Sequence, residues 1–280
     1  MSVSRFSARY PERIVCLTEE TTETLYLLGE ERRIVGISGY TVRPPRARHE
    51  KPRVSAFLSA RVDKILELKP DLVLGFSDLQ ADIARDLAKA GMNIMIFNQR
   101  SVAEILSMIL TLAAMVGAAE KGQALVKSLE SGLEDIREAA SRFPGRPRVY
   151  FEEWDQPMIS AIRWVSELVE IAGGEDIFAE LSRSHAATGR IIGDAQEVIL
   201  RKPDVMLASW CGKKFRPERV AARPGWQDVP AVRDGQLFEI KSADILQPGP
   251  AALTDGVRRM HAILRDFLSG AGRTRRSGGA

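Results

Sequence analysis

The chain holds few of the residues that usually announce chemistry. Its 280 residues include only 2 cysteines and 3 histidines. Cys16 and Cys211 make at most one pair, which supplies neither a disulfide framework nor a zinc-ligand spacing. Cys211 reads either as a contact to a ligand or a metal, or as a small buried hydrophobe. His185 has the right chemistry for a transition metal but no second histidine beside it, so no resident metal and no cofactor of the protein's own are expected. There is no phosphate loop, HExxH, CxxC, dinucleotide-type glycine fingerprint or nucleophile elbow, and the expectation is a protein that is not an enzyme. No apolar run approaches the roughly 18 residues of a membrane span. The first residues, MSVSRFSARYPERIVCL, lack the apolar core of a secretory leader, so the location expected from the sequence as encoded is the cytosol. Charge of one sign is also missing, with 40 basic against 37 acidic residues and a net charge of +3. The densest basic run, Arg43, Arg46, Arg48, Lys51 and Arg53, is interleaved with Pro44, Pro45 and Pro52. It reads as a solvated loop and not as a nucleic-acid face.

What is present is ordinary for a globular chain, 45% hydrophobic and 28% charged, with one exception. The stretch LELKPDLVLGFS around Pro70 returns as ILRKPDVMLASW around Pro203. In each copy a helical pattern ends at Lys-Pro-Asp, because proline removes a backbone donor and restricts the residue before it. An apolar run follows, Leu72 to Leu74 or Val205 to Leu207, of the kind found in parallel strands covered on both faces. Each run leads to an aromatic, Phe76 or Trp210. Ligands of open α/β sheets sit at the carboxyl ends of strands, so each aromatic is expected at a ligand edge.

The rest of the pattern places two lobes around one helix. Strands are expected at 14–17, 34–37, 72–74 and 93–97, alternating with helices that include 59–68 and 82–90, which implies βαβ units. Thr21 or Thr22 is positioned to cap the first helix. Residues 101–143 are helical with one break near Val116-Gly117. Leu125, Val126, Leu129, Leu133 and Ile136 then line one face of a helix over 119–142. After Pro144-Gly145-Arg146-Pro147 come a strand at 148–151, a loop from Glu152 to Pro157, a helix at 164–171 with Trp164 in the core, the second repeat copy, a strand at 237–240 and a last helix bearing Val257, Met260, Ile263, Leu264, Phe267 and Leu268. The fold class is therefore α/β, with two parallel-sheet lobes joined by one long rigid helix and a ligand cleft between them. The domain reading is 1–118, 119–142 and 143–272, with a disordered tail at 273–280.

The order of Ile34-Val35-Gly36-Ile37-Ser38, Pro44-Pro45, Leu66 to Val73 and a long linking helix resembles the substrate-binding proteins of ABC importers for cobalamin and iron-siderophore chelates. The resemblance spans roughly residues 11 to 268. Glu152-Glu153-Trp154-Asp155, Ala172-Gly173-Gly174, Ser209 to Lys213 and Gln247-Pro248-Gly249-Pro250 bring the chain nearest the cobalamin branch. It implies a periplasmic-type binding protein, monomeric, that captures a corrinoid, with cobalamin as bound ligand and an ABC permease as partner, and without nucleic acid or a membrane span of its own. By position it puts Tyr40, Phe57 and Phe76 on the ligand from the first lobe and proposes Trp154 and Trp210 from the second. The expected docking acids are Asp63 and, beside Gln196, Glu197.

Reading the remaining polar residues leaves alternatives open. Glu19 and Glu20 bond ligand amides or simply favour a helix dipole. Gln80, Gln99, Arg100, Glu152, Glu153 and Lys213 suit the amide-rich rim of a corrin or belong to charged loops. An iron-siderophore ligand is the alternative if Arg100, Arg163 and Arg190 dominate the pocket, and a cytosolic sensor or carrier on the same scaffold is a further one.

Overall fold

The computed structural model describes residues 9–57 and 59–270. Its chain divides into two compact units. One runs to Gln99 and includes Ala103–Ser128; the other comprises Arg100–Val102 and the chain from Leu129. The helix Ala119–Ser141 is continuous over 23 residues. The unit boundary falls inside it, whereas the sequence pattern makes the helix a segment of its own. The expected tail at 273–280 lies outside the described residues.

The first lobe is a five-stranded sheet in the order β3-β2-β1-β4-β5, built from β1 (Ile14–Cys16), β2 (Ile34–Ser38), β3 (Arg53–Ser55), β4 (Leu72–Phe76) and β5 (Ile94–Phe97). Every pairing is parallel. β1 and β4 are buried throughout, which is why they read as unbroken apolar runs and not as alternating ones. Val15, Leu17, Val54, Ile65, Val73, Ile83 and Leu87 form one core cluster between this sheet and its helices. β3 is an addition to the sequence reading, being three residues long at the end of a proline-rich basic stretch that carries no apolar run. Two arginines of the basic stretch are neutralised within the lobe. Arg43 pairs with Glu23 at 2.9 Å, and Arg46 pairs with Glu31 at 3.0 Å while lying 4.7 Å over the Tyr26 ring.

The second lobe has the order β10-β9-β6-β7, with β6 (Arg148–Asp155), β7 (Met158–Ser160), β9 (Val205–Ala208) and β10 (Leu237–Glu239); β8 (Glu175–Asp176) pairs beside the start of β6. Here the expectation needs correcting. β6 continues to Asp155 and turns into β7 as an antiparallel hairpin, so Glu152, Glu153 and Trp154 are strand residues and not a loop. The charged run Glu152-Glu153 concealed the strand, because its polar groups are satisfied by side chains arriving from elsewhere. The other pairings of β6 and β9 are parallel.

The repeat has a shared structural cause. Lys69 and Lys202, the residues before the prolines, adopt φ of 47° and 45°, a left-handed region that ends each helix. Asp71 then accepts from the backbone N–H groups of Glu12 and Arg13 at 2.7 and 2.9 Å, and Asp204 accepts from that of Arg148 at 2.8 Å. Each aspartate thus fastens the start of its lobe's first strand to the strand that follows the proline.

Capping of the first helix also differs from expectation. Helix Glu19–Leu27 has Thr18 at its N-cap without a side-chain cap bond, while Thr21 and Thr22 lie inside the helix and donate back to the Thr18 carbonyl.

Candidate functional site

Because the first sheet is wholly parallel, the segments after its five strands collect along one edge. β1 is followed by Thr18, Glu19 and Glu20; β2 by Gly39 and Tyr40; β3 by Phe57; β4 by Ser77, Leu79 and Gln80; and β5 by Gln99, while the next residue, Arg100, falls in the second unit. All the first-lobe residues expected to meet a ligand therefore share an edge, but they do not share exposure.

Tyr40 is 61% exposed and Leu79 57% exposed, with Phe57 half-buried. These three offer an apolar surface. Leu79 was missed by the sequence reading because a single leucine beyond a strand end carries no periodic signal. Phe76 is turned into the lobe as the last residue of a buried strand. Gln80 is fully buried, and its amide is used within the lobe. Its Oε1 accepts from the Phe76 N–H at 2.9 Å, and its Nε2 donates to the carbonyls of Phe57 at 3.0 Å and Leu17 at 3.4 Å. It ties three strand ends together instead of facing outward as a rim residue. Gly75 leaves the room for it, since a Cβ there would stand 2.7 Å from Gln80 Oε1. Next to it Ser77 holds φ 64° and ψ 171°, a region that side chains rarely adopt, with its hydroxyl accepting from the Leu79 N–H. Gln99 and Arg100 are buried and engaged within the protein.

Glu19 and Glu20 are buried at the positive end of their helix. Burial pushes the Glu19 carboxyl up to about 8, against the opposing bond from the Val42 N–H, and pushes Glu20 up to about 7. Glu20 Oε1 is without a hydrogen-bond partner among the described residues. Burial likewise pushes the Cys16 thiol up to about 12, which leaves it an inert core group.

In the second lobe β6, β9 and β10 are parallel, so the end of β6 and the segments after β9 and β10 share an edge. Trp210 is only 2% exposed and belongs to the core cluster with Tyr150, Phe178, Phe215 and Trp226; this corrects its expected place on a ligand wall. Its indole N–H donates to Glu152 Oε1 at 2.9 Å. Glu152 is wholly buried and also accepts from the Tyr150 hydroxyl at 2.8 Å and, bidentately, from Arg223 at 2.7 and 2.9 Å. A charge so deep is tolerable only when it is paired and fully hydrogen-bonded. Arg223 lies 71 residues away in sequence, so no local pattern reveals the pair.

Glu153 pairs with the buried Arg190 at 2.5 Å, and Arg190 also donates to the Ser160 carbonyl at 2.6 Å. Trp154 remains partly exposed, with its N–H donating to the Gln156 carbonyl at 2.8 Å and the Lys213 ammonium 4.0 Å over its ring. Lys213 also pairs with Asp155. Cys211 is exposed, its thiol raised by partial burial and by Glu153. His185 is exposed, and no group of three or more metal-ligating side chains occurs among the described residues.

The two acids expected to dock sit in matching places in their lobes. Asp63 is exposed in the first turn of helix Val62–Glu67, which leads into β4, and Glu197 is exposed in the first turn of helix Gln196–Arg201, which leads into β9. Glu197 pairs with Arg201 at 3.3 Å. No described helix is long and apolar enough to cross a membrane.

Two α/β lobes built on parallel strands agree with what comparison with known proteins finds. The vitamin B12-binding protein of Vibrio cholerae is 27% identical over 265 residues, covering 91% of this chain and 89% of that protein. An uncharacterized ABC transporter substrate-binding lipoprotein, YvrC of Bacillus subtilis, is 25% identical over 259 residues, covering 89% and 79%. The crystal structure of the periplasmic vitamin B12-binding protein BtuF of Vibrio cholerae superposes with a TM-score of 0.73 at 24% identity, covering 93% of this chain and 99% of that one. The periplasmic heme-binding protein RhuT from Roseiflexus sp. RS-1 superposes with a TM-score of 0.77 at 24% identity, covering 90% and 99%. The family model for periplasmic binding proteins matches residues 14–243, and the chain belongs to this family, the substrate-binding proteins of ABC importers.

Proposed function

We propose that the chain captures a corrinoid, with cobalamin the foremost candidate, against the carboxyl edges of its two sheets and without doing chemistry on it. The observation that carries this reading is the first-lobe edge. Tyr40, Phe57 and Leu79, from the ends of three different strands, expose apolar side chains where a conjugated, largely apolar ring system would lie. Kinship with vitamin B12-binding proteins over nine-tenths of the chain supports the choice of ligand. On this reading Trp154 and Cys211 meet the ligand from the second lobe, while Phe76, Gln80 and Trp210 shape the edges from within. Asp63 and Glu197 are then the groups that face arginines of a permease.

An iron-siderophore ligand is the competing assignment, and the arginines weigh against it. Arg190 is spent on Glu153 and Ser160, and Arg163 on Glu167 at 2.9 Å within its own helix. The deciding experiment is a calorimetric titration of the protein and of Tyr40→Ala and Leu79→Ala with cyanocobalamin. Weaker binding by both variants, by about tenfold each, supports the reading. Unchanged affinity in both removes the first-lobe edge from the site.

A further inference from the structure

The segment that follows β9 carries a concentration of positive charge that the capture of a flat apolar ring does not use. Between Cys211 and Arg223 it holds Lys213, Lys214, Arg216, Arg219 and Arg223 against the single acid Glu218. Arg223 is consumed by Glu152, and Arg216 and Glu218 lie 3.8 Å apart on the surface. Lys213 and Arg219 are arranged differently. Both approach the same buried carboxylate, Asp155, whose side chain is 3% exposed, and both lie over the same indole, that of Trp210, at 5.1 and 5.9 Å from its centroid.

One carboxylate thus stands between two cations. Lys213 is bonded to it, but the Arg219 guanidinium stays 3.6 Å from Asp155 Oδ2, outside hydrogen-bond length, and its side chain is half exposed. Two positive groups held by aromatic rings and a buried acid, with one fork of N–H donors still open to solvent, match the needs of an oxyanion. Guanidinium and ammonium groups recognise phosphate through charge-assisted hydrogen bonds, and the planar fork adds orientation.

We infer that Lys213 and Arg219 form an oxyanion subsite at the carboxyl edge of the second lobe, where they bind a phosphate-type group carried by the captured ligand. For its source the inference rests on the corrinoid reading, in which the group is the phosphodiester of the nucleotide loop. Asp155 sets the subsite's strength by holding the two cations together while offsetting part of their charge.

The subsite can be tested with and without a corrinoid. In protein labelled at the tryptophan indole nitrogens, inorganic pyrophosphate shifts the Trp154 and Trp210 N–H signals saturably and leaves Trp164 still. Arg219→Met, which removes no hydrogen bond made by that side chain, weakens this response about tenfold, and Asp155→Asn strengthens it. A linear drift of all the signals, or a response unaltered in Arg219→Met, overturns the subsite. In the second arm cyanocobalamin is compared with dicyanocobinamide, which lacks the phosphodiester. Wild type favours cyanocobalamin, and Arg219→Met loses that preference while keeping its affinity for dicyanocobinamide; equal weakening toward both overturns the subsite. If pyrophosphate binds as described and neither corrinoid binds, the subsite stands and the corrinoid reading fails.

Discussion

The side-chain amide of Gln80 donates to the Phe57 carbonyl at 3.0 Å, so a residue just past β4 fixes the chain that leaves β3. The same amide accepts from Phe76 N–H and reaches the Leu17 carbonyl, which brings three strand ends under one side chain. The positions of Phe57 and Leu79 on the first-lobe edge therefore depend on this tie, since Gln80 bonds the Phe57 carbonyl and directly follows Leu79.

Gln80→Leu therefore leaves the buried Phe76 donor, the buried Leu17 acceptor and the half-buried Phe57 acceptor without their partner. The expected cost is about 2 to 4 kcal/mol of first-lobe stability, since buried groups left unsatisfied cost about 1 to 3 kcal/mol each and part of that is recovered by relaxation. Gly75→Ala acts from the other side by displacing Gln80, as its Cβ would also stand 2.7 Å from Ile96 Cδ1. Urea unfolding checks both. A loss below about 0.5 kcal/mol in Gln80→Leu would contradict the tie.

Arg223→Met strands the Glu152 carboxylate in the second-lobe core. Breaking one partner out of a buried pair costs about 3 to 5 kcal/mol, and replacing both partners costs far less. Arg223→Met alone is thus expected to be markedly less stable than Arg223→Met combined with Glu152→Gln, whose amide oxygen keeps an acceptor for the Trp210 N–H while its NH2 donates to the Tyr150 hydroxyl oxygen. Thermal melts followed by tryptophan fluorescence distinguish the two, and equal stability of single and double variants would refute a charged pair.

Stability should fall as pH rises from about 4.5 to about 8. Glu19 near 8, Glu20 near 7 and Asp176 near 6 all have folded pKa values raised above their unfolded ones, with burial the main cause. Below pH 4 to 4.5 both states bind these protons and the carboxyls do not oppose folding. Through the window the unfolded chain gives up its protons more readily, so ionisation favours unfolding. Glu30 and Glu31, lowered respectively by bonds to Arg33 and Lys121 and by a backbone bond with help from Arg46, act with the opposite sign below that window. Glu19→Gln is expected to flatten the decline between pH 5 and 8. An identical slope in that variant would show that Glu19 ionises freely in the native protein.

Asp71→Ala and Asp204→Ala test the repeat. Each removes the carboxylate that receives backbone N–H groups at the start of a lobe's first strand, at an expected cost of about 1 to 2 kcal/mol. Hydrogen exchange reads the effect locally: Asp71→Ala should expose amides around Arg13 without touching those around Arg148, and Asp204→Ala the reverse. Loss of protection in both lobes from either change would contradict the assignment.

Much of the architecture was legible because buried parallel strands and proline-ended helices leave marks within a few residues. The Lys-Pro-Asp repeat located β4 and β9, and the glycine-terminated helices followed. What the sequence hid were features made by distant partners. β3 is short and polar, and the end of β6 is charged because Arg223, Arg190 and Lys213 arrive to neutralise it. The same blindness affected the site. An aromatic at a strand end does not say which way its ring turns, so local pattern points Trp210 and Phe76 outward although their neighbours draw them in. Gln80 looked like a rim residue because nothing near it in sequence reveals the carbonyl of Phe57.

The most direct measurement is a calorimetric titration of the intact protein with cyanocobalamin at low ionic strength, followed in parallel by its visible absorbance. Saturable one-to-one binding at micromolar concentration or tighter is the predicted result. No heat and no spectral change at about 100 μM ligand, a weak-binding limit on the affinity scale, would contradict corrinoid capture.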